Sequence, residues 1–438
     1  MRGILEKLPK TLDETYERVL EEVNEDNREH ARRLLHCIAV AIRPLRVEEL
    51  AEILAFDFDD SQGGIPKLHA SWRWKDQEEA VLFTCSSESS LIAVVDYHDW
   101  QGVSRVVLFS HFSVKEFLIS DRLMSSTGSL SLYHILPNPA HTMLAQACLG
   151  SLLHLNDSSD EQGVKVSPLA GYAASHWVAH GQFEDVVSRV KDGMLSLFDP
   201  NKPHLATWLN IYNIDPRSLF GSPPVDIPNP LYYAALCGFR DLVEHLVTDY
   251  PQLVNTVGGE YGSPLLAALS EKNIWIAEFL LQHGGKVDIP GRGGDTPLIQ
   301  AARTFQEHAI PFLLRNGADV NTQNDCLYTA LHFAASHTHL EISHILDCGA
   351  NVNSRDDMGR TPLHWLLEDA PCVSSISQAP HITRLLLEHG ADVNARDNED
   401  NILLLQVLEL ELESDMDLDD IGLARMLLEH GAEPNVKK

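Results

Sequence analysis

Few side chains in this sequence stand at spacings that could do chemistry. The run Leu91–Asp96 (LIAVVD) puts an aspartate behind apolar residues, the form of a strand that delivers a carboxylate to magnesium. That carboxylate would need a phosphate-cradling loop, and no G-x-x-x-x-G-K-[ST] occurs. A polar turn around Gly102 and a second apolar run, Arg105–Ser110 (RVVLFS), follow closely, so the pair predicts a β-hairpin with Asp96 as a turn residue. No G-x-S-x-G offers an activated serine, and H-E-x-x-H is absent although there are 22 histidines. The 7 cysteines are scattered without a C-x-x-C pair, which suits a reducing compartment and builds no zinc framework. The expectation is a chain that is not an enzyme, with no catalytic residues, no metal and no cofactor.

What recurs instead is a phrase. Gly-Ala-Asp-Val-Asn stands at Gly317–Asn321 and Gly390–Asn394, with GANVN at Gly349–Asn353 and weaker copies at Gly284–Asp288 and Gly431–Asn435. Ahead of each lies a partner phrase, TPLH at Thr361–His364, TPLI at Thr296–Ile299, TALH at Thr329–His332, SPLL at Ser263–Leu266 and NPLY at Asn229–Tyr232. Pro230, Pro264, Pro297, Ala330 and Pro362 share one phase, separated by 34, 33, 33 and 32 residues. A fixed period of this length means a solenoid, in which no unit buries its apolar face alone.

Local chemistry explains each phrase. Thr361 can cap a helix with its hydroxyl, and Pro362 at the first helical position loses only an orphan N–H. Ala334 and Ala335 are small where two helices pack closely. Gly317, Gly349 and Gly390 end a second helix where a left-handed residue is wanted. Asp319 and Asn321 then favour a turn.

These phrases closely resemble the ankyrin repeat, a unit of two antiparallel helices and a β-turn finger. The resemblance spans residues 229–438 and implies five to six repeats that bind a protein partner on a concave face. Carried over through the TPLH phrase, the exposed finger and first-helix positions are Arg292, Asp295, Gln300 and Arg303 in one repeat. The next supplies Tyr328, Phe333 and His337, with Asp325 and Ser336, and the one after it Arg360, Trp365 and Glu368, with Met358. Phe333 and Trp365 either meet the partner or pack beneath neighbouring fingers. His332 and His364 are expected to hydrogen-bond between repeats. Two repeats carry inserts, Glu368–Pro380 and Glu409–Asp420, and the acidic second one is expected to be a solvated loop.

The chain has 438 residues and a formal net charge of −30, from 63 acidic and 33 basic side chains. Such a balance argues against nucleic acid or an anionic membrane as the main partner. The opening MRGILEKLPK lacks the apolar core of a signal peptide, and no apolar run reaches spanning length, so a cytoplasmic location is expected.

Ahead of the repeats, Leu8–Leu20, His30–Ile42 and Val47–Phe56 have helical spacing, the hairpin follows, and a further helix starts near Ser113. Helices followed by a hairpin describe a winged-helix unit. The words LPKTLDETYERVL (8–20), RPLRVEELAEIL (43–54), CSSESSLIAVVD (85–96) and FSHFSVKEFL (109–118) are similar to the segment after the nucleotide-binding core of fungal NACHT–ankyrin proteins, members of the signal-transduction ATPases with numerous domains. Similar segments also occur as winged-helix regions related to an inositol-deacylase. In the ATPases a histidine at the place of His111 contacts the bound diphosphate. The resemblance gives His111 that role only if a nucleotide-binding domain precedes Met1.

The predicted fold is mostly α: a winged-helix-like α+β module over 1–135, a helical connector and linker over 136–228, and the ankyrin solenoid over 229–438. Within the connector, His141–Leu155 and Leu169–Val190 each predict one helix, the second with the look of a degenerate ankyrin-like cap. Seven prolines mark 199–230 as irregular. The function expected is a non-catalytic interaction protein, the sensor or scaffold part of a NACHT–ankyrin type system. The alternative is the regulatory C-terminal half of a P-loop ATPase encoded upstream, met in cis or in trans.

Overall fold

A computed structural model describes residues 11–58, 65–68, 81, 91–99, 102–126, 128–155, 167–215, 229–336, 341–366, 373–413 and 423–433. The chain divides into two compact units, Met1–Ile214 and Asp215–Lys438.

In the first unit, helix Leu12–Glu21 starts at Thr11, whose hydroxyl accepts the Glu14 N–H at 3.2 Å, with Asp13 and Glu14 set against the positive end of the helix dipole. Helix Arg28–Val40 buries Leu34, Leu35 and Cys37 and stops before Pro44. Strand β1 (Leu45–Arg46) leads into helix Val47–Leu54, whose Glu49 carboxylate accepts the Arg46 N–H at 2.8 Å and the Arg43 guanidinium at 2.6 Å. Two short strands, β2 (Phe56–Asp57) and β3 (Lys67–Leu68), pair antiparallel. The hairpin of β4 (Ile92–Asp99) and β5 (Gly102–Phe109) joins β1 in a three-stranded sheet of order β1-β5-β4, and helix Phe112–Leu118 follows. Asp96 therefore corrects the expectation. It lies within β4 opposite Arg105, because the antiparallel pairing runs on to Asp99 opposite Gly102.

Among the described residues, the short helix Asp121–Met124 and four longer ones complete this unit: Pro137–His154, Ala170–Gly181, Val186–Leu197 and His204–Ile211. The single helix expected over 169–190 is two, since the chain turns after Gly181 and Asp185 takes the left-handed φ of 58°. Trp177 and Trp208 meet edge to face at 5.2 Å in the core, and the Trp208 indole N–H donates to the Ala174 carbonyl at 2.8 Å.

The second unit stacks helix pairs. The inner helices are Pro230–Leu236, Pro264–Ser270, Pro297–Arg303, Ala330–Ser336, Pro362–Trp365 and Leu403–Glu413. Their partners are Arg240–Asp249, Ile274–Gln282, Ala309–Arg315, Ile342–Asp347, Val373–Glu388 and Leu423–Glu429. The alanine pairs 234–235, 267–268, 301–302 and 334–335 are fully buried, as close helix approach requires. The described residues of both inserts, 373–380 and 409–413, are helical, which corrects the loop expected over Glu409–Asp420 for its first part. No breaker interrupts Val373–Ala379 ahead of Pro380, and the Leu/Glu run to Glu413 is made of good helix formers.

Candidate protein-binding face

The repeats are joined by a ladder at the end of each GADVN phrase. Asn321 donates its side-chain N–H to the Gly349 carbonyl at 3.2 Å and accepts the Asn351 N–H at 2.7 Å. Asn353 does the same with Gly390 and Asp392, Asn394 with Gly431 and Glu433, and Asn255 with Gly284 and Lys286. Asparagine suits this place because one amide is both donor and acceptor.

Beyond the ladder, each finger closes on itself. Gly291, Asn324, Asp356 and Asp397 donate their N–H groups to the carbonyls of Asp295, Tyr328, Arg360 and Asn401, at 2.7 to 3.1 Å. Successive tips are then tied: the Asp325 N–H donates to Gly293 O at 3.0 Å, Asp357 to Cys326 O at 3.2 Å, and Asn398 to Met358 O at 2.9 Å. Four tips thus form one hydrogen-bonded edge.

Behind that edge Asp356 is a hub. Its Oδ1 accepts the backbone N–H groups of Met358 (2.9 Å) and Arg360 (2.7 Å). Its Oδ2 accepts the Arg360 Nε–H and the Trp365 indole N–H, both at 2.8 Å. Burial pushes this carboxyl upward, but the donors from Trp365 and Arg360 outweigh it and hold it below the usual carboxylate range. The Arg360 guanidinium also lies over the Trp365 ring at 5.1 Å, and Tyr328 meets that ring edge-on at 4.7 Å, with Phe333 alongside at 5.5 Å.

The capping threonines and histidines work as a pair. The His332 Nδ1 accepts the Thr329 N–H at 3.0 Å, its Nε2 faces the Arg360 carbonyl of the next repeat at 3.3 Å, and burial lowers its pKa to about 4. His332 is thus a neutral strut between repeats. His364 repeats the local half of this with Thr361 at 3.2 Å.

Among the residues expected to meet a partner, Phe333 and Trp365 are each only 8% exposed and pack in the aromatic cluster. Asp295 and Gln300 are also buried; Asp295 accepts from Asn324 at 2.7 Å and Gln300 donates to the Glu260 carbonyl at 3.1 Å. Arg303 is exposed and spans both, 3.2 Å from Asp295 and 2.6 Å from the Gln300 side-chain amide oxygen Oε1. Tyr328 is half-buried, and Arg360 is held by Asp356. His337 and Glu368 lie outside the described residues, as does the side chain of Arg292. Asp356 itself escaped the sequence reading. Its signal was an aspartate opening a finger whose third residue on is glycine and whose fourth is arginine.

Residues 231–324 and 298–397 match the family model described as "Ankyrin repeats (3 copies)", and residues 20–128 match "GPI inositol-deacylase, winged helix domain". The chain is a winged-helix domain followed by ankyrin repeats. It has fungal relatives. "Azaphilone pigments biosynthesis cluster protein L" of Monascus ruber is 30% identical over 299 residues, 65% of this chain and 61% of its own. "Ankyrin repeat protein nuc-2" of Neurospora crassa is 27% identical over 175 residues, 39% of this chain and 16% of its own. The chain thus spans less than two thirds of either relative. A crystallised ankyrin repeat domain from Acinetobacter baumannii AYE is 27% identical with a TM-score of 0.40, over 47% of this chain and 98% of that one.

Within the winged-helix domain His111 caps helix Phe112–Leu118. Its Nδ1 accepts the Ser113 N–H at 3.3 Å and sits 2.7 Å from the Ser113 hydroxyl, which contacts the Tyr16 hydroxyl at 2.8 Å. The ring is exposed. The domain is tied to the following helices through Glu52, a buried carboxyl that accepts the Leu169 N–H at 2.7 Å and the Ser167 hydroxyl. Burial raises its pKa despite these donors. A second tie runs from the Ile42 N–H to the Tyr172 hydroxyl (3.2 Å), on to His180 Nε2 (2.8 Å), and from His180 Nδ1 to His141 Nδ1 (2.9 Å). Burial lowers the His180 pKa to about 3, so its imidazole is neutral. Among the described residues no group of three or more metal-ligating side chains occurs, and no helix is long and apolar enough to cross a membrane.

Proposed function

We propose that this chain is a non-enzymatic interaction protein whose ankyrin array holds a protein partner across the inner helices and finger tips, as the sensor or scaffold part of a NACHT–ankyrin type assembly. The observation that carries the reading is the tied edge of fingers, with Arg303 and Tyr328 reaching its face from fixed positions. A face ordered before the partner arrives loses little entropy on binding. Arginine and tyrosine are also the types that dominate interface energetics. Replacing Arg303 and Tyr328 together by alanine should weaken capture of a co-purifying partner by more than about tenfold, roughly 1.4 kcal/mol. Arg303→Ala alone should leave the thermal midpoint within a few degrees, whereas the double variant, which also removes the Tyr328 ring from the aromatic cluster, should lower it while unfolding stays cooperative. Unchanged affinity of the double variant would refute the placement.

A second reading, regulation of a P-loop ATPase by the winged-helix domain, draws support from the exposed His111 ring held at a helix start. Supplied with a NACHT ATPase domain and a nucleoside diphosphate, the chain should associate, and His111→Ala should loosen the complex. Failure of the wild-type chain to associate would remove this reading.

A further inference from the structure

We propose that the finger tips carrying Leu327 and Met358 dock a cationic amphipathic helix of a protein partner, an inference that rests on the protein-binding reading above. The fourth residue of each finger sits in the left-handed region: Gly294 at φ 75°, Leu327 at 62°, Gly359 at 74° and Asp400 at 65°. Glycine takes this conformation freely, aspartate tolerates it, and leucine adopts it at a cost. The fold does not ask for a side chain here. A Cβ at Gly294 would collide with Asp325 of the next finger, and one at Gly359 with Asn398. Leu327 fills no such gap; it is 44% exposed. On the next tip Met358 is 56% exposed, and the Asp357 N–H to Cys326 carbonyl bond at 3.2 Å holds the two tips side by side. A strained, solvent-facing leucine beside an exposed methionine on a rigid edge is apolar surface kept for contact rather than for folding.

Charge selects the occupant. Asp325 and Asp357 are exposed on the same two tips, two residues before Leu327 and one before Met358, while the Arg355 guanidinium is turned to the Gly359 and Arg396 carbonyls. With a chain net charge of −30, a second copy would bring like charge to the same edge. Two neighbouring apolar knobs flanked by acids fit the apolar stripe of a helix whose other face carries lysine or arginine.

The test uses the full chain and a synthetic helix of about five turns, with leucines on one face and lysines elsewhere, beside a counterpart with glutamate for lysine. Anisotropy at low and high salt should show the lysine helix binding, more weakly as salt rises, and the glutamate helix not binding. Leu327→Gly should weaken binding by about tenfold while raising the thermal midpoint, since it relieves the backbone; Met358→Ser should weaken it with the midpoint unchanged. Asp325→Asn with Asp357→Asn should flatten the salt dependence. No binding by the wild-type chain, equal binding of the glutamate helix, or lysine-helix binding insensitive to both apolar replacements would each overturn the proposal. A co-purifying partner lost with Arg303→Ala and Tyr328→Ala but indifferent to Leu327→Gly would sink the tip site and leave the array reading intact. The converse pattern would keep the tip site and overturn only the placement of the partner on Arg303 and Tyr328.

Discussion

Both carboxylate oxygens of Asp288 lie 3.2 Å from the backbone nitrogen of Asp319, at a ladder position that the other joints give to asparagine. The N–H is satisfied, but Asp288 has no donor for the Gly317 carbonyl, the group that Asn255, Asn321, Asn353 and Asn394 reach in their own neighbours. Burial first, and then the charge of Asp319, raise the Asp288 pKa although the Asp319 N–H opposes them. This joint is the weak one in the ladder.

Asp288→Asn should therefore stabilise the array by about 1 kcal/mol, the net worth of one added hydrogen bond. The sign has a pH dependence. A carboxyl whose folded pKa is raised is penalised above that pKa and relieved as pH falls through it. The gain in urea midpoint should be largest near neutrality and shrink towards pH 4; a gain that grows on acidification would contradict this account.

Gly390→Val should cost about 1–2 kcal/mol or more. Gly390 has φ 87°, and a Cβ there would meet nothing within 4 Å, so the penalty is backbone strain rather than collision. Gly390→Asn should cost less, because asparagine visits this region. Equal losses in thermal unfolding for both variants would point to crowding instead.

Acid should loosen both units between about pH 6.5 and 4. Burial lowers His36 and His332 from 6.5 to about 4 and His180 to about 3, so the unfolded chain takes up these protons before the folded one does. Stability is thus full above 6.5 and is lost as pH falls through that window. The buried Glu52 and Asp215, whose pKa values are raised by burial, act with the opposite sign. Tryptophan fluorescence during urea titration at several pH values checks this; a midpoint constant from pH 7 to 5 would exclude it.

Trp365→Phe keeps a ring in the aromatic cluster but removes the indole donor to Asp356, and should cost about 1 kcal/mol. Asp356→Ala should cost about 3 kcal/mol, since it strands Arg360 and the indole N–H together. Equal destabilisation by the two would mean that the ring, not the carboxylate, organises the fingers.

Much of this architecture was legible from residue order because its causes are local. A proline at the first helical turn, a glycine at φ near +87° after Asn316 or His389, and an amide closing each GADVN phrase act within one repeat or on the next. The β4–β5 hairpin followed from two apolar runs on either side of a polar turn near Gly102, although its first strand runs past Asp96 to Asp99. The division of face from core was not legible in the same way. Trp365 and Phe333 have the composition of contact residues, and only packing showed them buried around Asp356 while Leu327 stays out in solvent.

The sequence by itself determined the period, the two-part order of a winged-helix segment and a repeat array, and the acidic charge, because helix caps, turn glycines and net charge are properties of short segments. Tertiary structure decided which side chains of a repeat face a partner and which face the neighbouring finger. A side chain's exposure depends on atoms some thirty residues away, as the hold of Asp295 by Asn324 shows. It decided equally that Glu52 and the Tyr172–His180–His141 chain bind the winged helix to the helices after it. The Glu52–Leu169 and Ile42–Tyr172 bonds join residues more than a hundred positions apart, and burial makes them worth keeping because they satisfy polar groups that would otherwise be stranded.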